Sequence, residues 1–122
     1  MSCSCDYDPP EFYHRTTISK ARKEHGCYEC GGRILQGESY EHVFAKWDGD
    51  VGNVNTCQRC LDLREYVKAH VPCFCWAHGN VIDDAIETVR SYAQEVPGLM
   101  FGAYRRQVAI RAARKQQWRP RA

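Results

Sequence analysis

Cys27-Tyr28-Glu29-Cys30-Gly31-Gly32 and Cys57-Gln58-Arg59-Cys60 are two Cys-x-x-Cys pairs on either side of a segment patterned for antiparallel strands. Four soft thiolates at this spacing can close a tetrahedral shell around one Zn²⁺. Glycines directly after Cys30 tolerate positive φ and let backbone N–H groups approach the sulfurs, as a zinc knuckle requires. Between the pairs, Gly37 carries turn chemistry. Tyr40-Glu41-His42-Val43-Phe44-Ala45-Lys46-Trp47 has β-branched and aromatic content, Asp48-Gly49-Asp50 is a turn signal, and residues 51–56 can pair back. A closed four-cysteine shell leaves no open coordination position, so this zinc reads as structural rather than catalytic.

Working outward, a knuckle, a hairpin and a Cys-x-x-Cys opening a helix make a treble clef. The helix start favours thiolates at Cys57 and Cys60 through its free N–H groups and its dipole. Leu63, Tyr66, Val67 and His70 have helical spacing over residues 61–70, and Val71-Pro72 ends that helix. Asn80-Val81 opens a second helix, whose apolar face runs through Val81, Ile82, Ala85, Ile86, Val89, Tyr92, Ala93 and Val96, with acids in its early turns. Pro97-Gly98 breaks it, and a third helix is expected over 99–117, with Met100, Phe101, Tyr104 and Val108 on one face. That face is expected to pack on the body or on a second copy of the chain. Residues 1–26 read as polar and irregular, with a short helix or a loop over 16–25. The expected class is α+β, a zinc-stapled treble-clef body with helix over 1–98 and a basic C-terminal helix and tail over 99–122.

Four more cysteines bracket the inner set: Cys3-Ser4-Cys5 and Cys73-Phe74-Cys75. A second zinc on Cys3, Cys5, Cys73 and Cys75 would tie down a polar N-terminus, with His70 or His78 as a substitute for one cysteine. Eight cysteines in an oxidising compartment would instead form disulfides. The N-terminus shows neither the basic region nor the apolar core of a secretory leader, and no run approaches a membrane span. The expectation is a cytoplasmic protein with reduced, metal-binding cysteines and no membrane association.

Charge is segregated. Through residue 98 the chain has ten Lys/Arg against fifteen Asp/Glu, and beyond it seven basic residues and no acid. Arg105, Arg106, Arg111, Arg114, Lys115 and Arg119 therefore form a candidate contact surface for nucleic-acid phosphates or for acidic protein. The zinc body, made more negative by its thiolates, would repel nucleic acid, so only the tail could dock there.

An enzymatic reading compares the chain with the HNH nucleases, which also set paired cysteines around a short ββα unit. The resemblance implies a general-base role for His42 after Glu41, and an orienting role for Asn53 or Asn55. It breaks down at Leu61, which follows Cys60 where that pattern places His. Cys-x-x-Cys-Gly-Gly-x-Ile-x-x-Gly-Glu-x-Tyr from Cys27 to Tyr40, followed by Cys57-x-x-Cys60, resembles small treble-clef zinc proteins carried by bacteriophages and prophages. That likeness covers about residues 25–70. It implies a non-enzymatic adaptor or inhibitor in a bacterial host cell, which binds a host complex such as a defence system. The alternative is a DNA- or RNA-binding accessory protein using its basic C-terminal helix, and a metal-dependent nuclease is third. A homodimer through that helix is a further expectation.

Overall fold

Alternation along the central strand decides how the sheet sits. The computed structural model describes residues 12–47 and 49–114. β4 (Tyr40–Trp47) lies between β1 (Phe12–Ile18) and β5 (Asp50–Cys57) in a three-stranded antiparallel sheet. Successive side chains point to opposite faces. Glu41, Val43 and Ala45 of β4, with Val54 and Thr56 of β5, are buried on one face. His42 and Phe44 lie on the other, which is the more open face. A two-stranded ladder joins β2 (His25–Gly26) to β3 (Arg33–Ile34) around the first cysteine pair.

Three helices complete the fold: α1 (Gln58–His70), α2 (Val81–Tyr92) and α3 (Leu99–Arg114). Leu63 and Val67 of α1, Ala85 and Val89 of α2, and Leu99, Ala103 and Ile110 of α3 share one core with Ile34 and the four inner cysteines. The result is a mixed α+β fold with a small antiparallel sheet, three helices and a tight cysteine cluster.

Arg64 of α1 fastens the sheet to the helices. Its two terminal nitrogens donate to Glu41 Oε1 and Oε2 at 2.9 and 2.6 Å, with both side chains almost fully buried. The same guanidinium lies 4.8 Å from the Trp76 ring. The connection from α1 to α2 thus packs towards the inner face of the sheet. There His78 stacks on Tyr13 of β1 with ring centroids 5.9 Å apart.

Two expectations change. Residues 12–18, read as irregular, form the edge strand β1. The β-branched and aromatic Phe12, Tyr13, Thr16, Thr17 and Ile18 suit a strand, but none of the seven residues is buried, so the strand has no apolar face to mark it in the sequence. The second change is the rotation of α3. Met100, Phe101, Tyr104 and Val108 do not pack on the body; they are 54, 67, 56 and 44 % exposed. The packed face is Leu99, Ala103 and Ile110 instead. Gly102 is what permits this rotation, because a β-carbon there would overlap the hydroxyl and ring of Tyr66 on α1. Tyr66 donates its hydroxyl to the Leu99 carbonyl at 3.2 Å, and Arg106 stacks over its ring at 4.0 Å.

Candidate metal centre

The first cysteine pair sits in a tight turn closed by its own backbone. Cys27 N–H donates to the Gly32 carbonyl and Gly31 N–H to the Cys27 carbonyl, both at 2.9 Å. Gly31 has φ of +74°, a conformation that costs glycine nothing and an L side chain roughly 1 kcal/mol. The turn aims Gly32 N–H at Cys30 Sγ, 3.3 Å away. The second pair stands where β5 becomes α1. Cys57 ends the strand and caps the helix, and Cys60 lies in the first helical turn. Tyr28 N–H donates to the Asn55 carbonyl at 2.8 Å and Cys57 N–H to Cys27 Sγ at 3.3 Å, which stitches the knuckle to the end of β5.

All four cysteines are buried, and their sulfurs lie within 4.8 Å of one another. Cys27 to Cys60 and Cys30 to Cys57 both measure 3.8 Å. Sulfurs ~2.3 Å from a central ion at tetrahedral angles have edges of ~3.8 Å. Two of the six edges therefore match a four-thiolate shell, all four sulfurs lie close enough to share one ion, and the donor set suggests one zinc.

Proton sharing inside the cluster points the same way. The contact with Cys30 pushes the Cys27 thiol up, but contacts with Cys57 and Cys60 outweigh it and hold Cys27 down at about 7. Cys30 is held well below an ordinary thiol by its contacts with Cys27, Cys57 and Cys60. Cys57 and Cys60 are pushed far up, each first by its contact with Cys27. A divalent cation displaces the remaining thiol protons when all four sulfurs ligate.

Glu29 is a residue that sequence reasoning missed. It lies between the ligands Cys27 and Cys30 and reaches across to the start of α2. Its carboxylate accepts from Gly79 N–H at 2.7 Å and Val81 N–H at 3.0 Å. A carboxylate satisfies free N–H groups and meets the positive end of the helix dipole there. Nothing in Cys-Tyr-Glu-Cys shows this at the sequence level, because the two groups are 50 residues apart. Gly32 seats the other side of the knuckle. A β-carbon there would meet the Ala113 carbonyl oxygen of α3 at 3.2 Å.

The remaining residues singled out in the sequence are scattered. Cys3, Cys5, Lys115 and Arg119 lie outside the described residues, and of Arg114 only the backbone, the last residue of α3, is described. Cys73 and Cys75 have sulfurs 3.8 Å apart, and both are disulfide-bonded, though not to each other. Neither His70 nor His78 joins them in a group of three ligands among the described residues. His70 Nδ1 contacts the Tyr66 carbonyl at 2.7 Å, and His78 Nε2 contacts the Tyr13 hydroxyl at 3.0 Å. His42 Nε2 lies 3.1 Å from Asn53 Oδ1, but Glu41 points to the opposite face of the sheet and is held by Arg64. Asn55 is half-buried in β5, and Leu61 is buried in α1. Arg105 and Arg111 are exposed, whereas Arg106 is half-buried against Tyr66.

No protein-family model, curated protein or solved structure matches this chain. No helix among the described residues is long and apolar enough to cross a membrane.

Proposed function

We propose that the chain is a non-enzymatic, zinc-stapled treble-clef binding protein, an adaptor or inhibitor of the kind carried by phages, which occupies a macromolecular complex of a bacterial host. The order knuckle, hairpin, helix around four cysteines supports the treble clef. The phage kinship rests on the Cys27–Tyr40 motif alone. The observation that carries the binding role is the outer face of α3. Phe101, Tyr104 and Val108 follow one another at helical spacing, point to solvent, and are flanked by the exposed Arg105 and Arg111 with no acid on the helix. This surface matches a protein segment that offers apolar anchors with acidic flanks, an arrangement of helix-in-groove recognition. Beside it lies a groove of about 130 Å³ between α2 and α3, lined by Ile82, Ile86 and Ile110 and edged by Asp83 and Arg111.

The test is capture of proteins from bacterial lysate by the zinc-loaded chain, with and without nuclease treatment. The expected partners resist nuclease and disappear with Phe101→Ser and with the double change Arg105→Gln, Arg111→Gln. Partners that persist in both variants refute the α3 reading. Partners that vanish with nuclease favour nucleic-acid binding by the basic helix. Plasmid cleavage with Mg²⁺ that is lost in His42→Ala would establish the nuclease reading instead.

We also propose a second zinc in a reducing cytoplasm, on Cys73 and Cys75 with Cys3 and Cys5. The site requires reduction of the disulfides that hold Cys73 and Cys75 in this structure; their 3.8 Å spacing, equal to an edge of the inner cluster, then suits two thiolate ligands. Two zincs per chain by elemental analysis are expected, falling to one on deletion of residues 1–6. One zinc, with disulfides found by mass spectrometry under native reducing conditions, refutes the second site.

A further inference from the structure

The open face of the three-stranded sheet presents residues in rows fixed by the strand register. Across β1, β4 and β5 the rows are Phe12, Lys46 and Val51; then His14, Phe44 and Asn53; then Thr16, His42 and Asn55. Phe12 and Phe44 are 51 and 37 % exposed, and their rings meet edge to face with centroids 5.7 Å apart. Among the described residues the two rings pack on each other from adjacent strands and remain partly in solvent. Beside them, His42 and Asn53 hold one another at 3.1 Å, and both carry groups that can donate and accept hydrogen bonds.

Charge distinguishes this face from the rest of the body. No carboxylate occurs in the three rows. Strand alternation sends Glu41 and Asp50 to the opposite face, where Glu41 is bound by Arg64. Lys46 lies in the first of these rows, and the connection leaving β1 carries Lys20, Arg22 and Lys23, all exposed. The acid beside them, Glu24, is taken by Arg33 in a paired contact at 2.6 and 2.7 Å. The chain through residue 98 is acidic as a whole, yet these three rows are aromatic and polar, with Lys46 and no carboxylate among them.

We infer that the outer face of the β1–β4–β5 sheet is a binding platform for single-stranded nucleic acid. Bases stack on Phe44 and Phe12, the His42–Asn53 pair reads base edges, and Lys20, Arg22 and Lys23 meet phosphates. Single strands are favoured over duplex because only unpaired bases offer their faces to aromatic side chains on a flat sheet. Stacking tolerates any base, so affinity should depend weakly on sequence and strongly on salt. This surface is separate from α3, so the inference stands or falls independently of the α3 reading.

The test is fluorescence anisotropy of the zinc-loaded full chain with fluorescein-labelled oligo-U and oligo-dT of about 12 nucleotides, at about 50 and 200 mM salt. Binding to single strands should exceed binding to a labelled duplex hairpin. Phe44→Ala and Phe12→Ala should each weaken it about tenfold, within the range measured for a lost base stack. Lys20→Gln with Lys23→Gln should flatten the salt dependence by about two phosphate contacts. Zinc content and circular dichroism check that the alanine variants are folded. Phe44→Trp supplies a second readout, because it should keep binding and its indole fluorescence should quench when a base stacks on it. Four results each overturn the inference. They are no binding at low salt, equal binding by Phe44→Ala, binding lost only on removal of residues 109–122, and self-association abolished by Phe44→Ala in place of oligonucleotide binding.

Discussion

Gly102→Ala is the sharpest test of how α3 is seated, because local and tertiary physics disagree on its sign. In an exposed helix interior, alanine in place of glycine stabilises by roughly 0.5–1 kcal/mol. Here the added methyl would overlap the Tyr66 hydroxyl and ring. Tyr66 has little freedom to withdraw. Its hydroxyl donates to the Gly98 and Leu99 carbonyls, Arg106 covers one face, and the His70 ring lies 4.3 Å from it. Displacing the ring forfeits a hydrogen bond of about 1 kcal/mol and a cation–π contact of about 0.5–1 kcal/mol, and overpacking adds about 1 kcal/mol or more.

Against the propensity gain, the net change is a loss of about 1.5–2.5 kcal/mol, or a fall in Tm of roughly 6–10 °C for a chain of 122 residues. Thermal unfolding of the zinc-loaded protein by circular dichroism measures it. Introduced into a Tyr66→Ala background, the same change meets no obstruction and should stabilise by up to about 1 kcal/mol. A higher Tm for Gly102→Ala alone, or the same loss in both backgrounds, would refute this seating of α3. The outward display of Phe101, Tyr104 and Val108 would then lose its structural basis.

Removing one thiolate from the inner cluster by Cys57→Ser should abolish tight zinc retention through dialysis against a chelator, and zinc release should be accompanied by loss of the cooperative thermal transition. Glu29→Ala leaves the Gly79 and Val81 N–H groups without their acceptor; it should cost about 0.5–2 kcal/mol while the zinc count is unchanged, since the residue caps α2 and does not ligate. Burial alone would raise the Glu41 carboxyl, but Arg64 and then Arg15 hold it below the usual carboxylate range. Stability from that pair is therefore fully present above the ordinary pKa of ~4.3 and is lost as pH falls through the lower folded value, so denaturation followed from pH 6 downward should show an acid limb that flattens in Glu41→Gln. That variant leaves Arg64 with Glu65 as its remaining carboxylate, 3.2 Å from Nε, so its cost should fall below the ~3–5 kcal/mol of a buried charge left unpaired, whereas Glu41→Leu with Arg64→Met should be close to neutral.

What was legible in the sequence was what repeats locally. The cysteine pairs, β4, the turn at Gly49, the return strand and the starts of α1 and α2 all carry their signals within a few residues. What was not legible depends on contacts between distant positions. β1 is an edge strand with no fully buried residue, so its alternation has no core side to give it contrast. α3 has two apolar stripes, Leu99, Ala103 and Ile110 on one side and Phe101, Tyr104 and Val108 on the other. Side-chain size favours the second as the core face. Tyr66 decides for the first, because only the side with Gly102 can approach α1. Glu29 and Arg64 were equally hidden, since a charged residue next to a ligand or inside a helix reads as surface until its partner is placed beside it.

The cysteine cluster also explains how so small a chain can leave two apolar or aromatic surfaces in solvent. The knuckle touches every layer of the fold. Tyr28 N–H binds the end of β5, Glu29 binds the start of α2, Gly32 lies against the end of α3, and Cys57 and Cys60 open α1. A metal at this junction fixes the relative placement of the sheet and all three helices through four short bonds, a task that otherwise falls to buried side chains in a chain of this length. Phe12 and Phe44 on the sheet, and Phe101 and Tyr104 on α3, are thereby released from packing. On this argument the metal's contribution to function is indirect. A metal bound there would hold the sheet and the helices in a fixed relation, and so would hold the two surfaces proposed above in a fixed relation to each other.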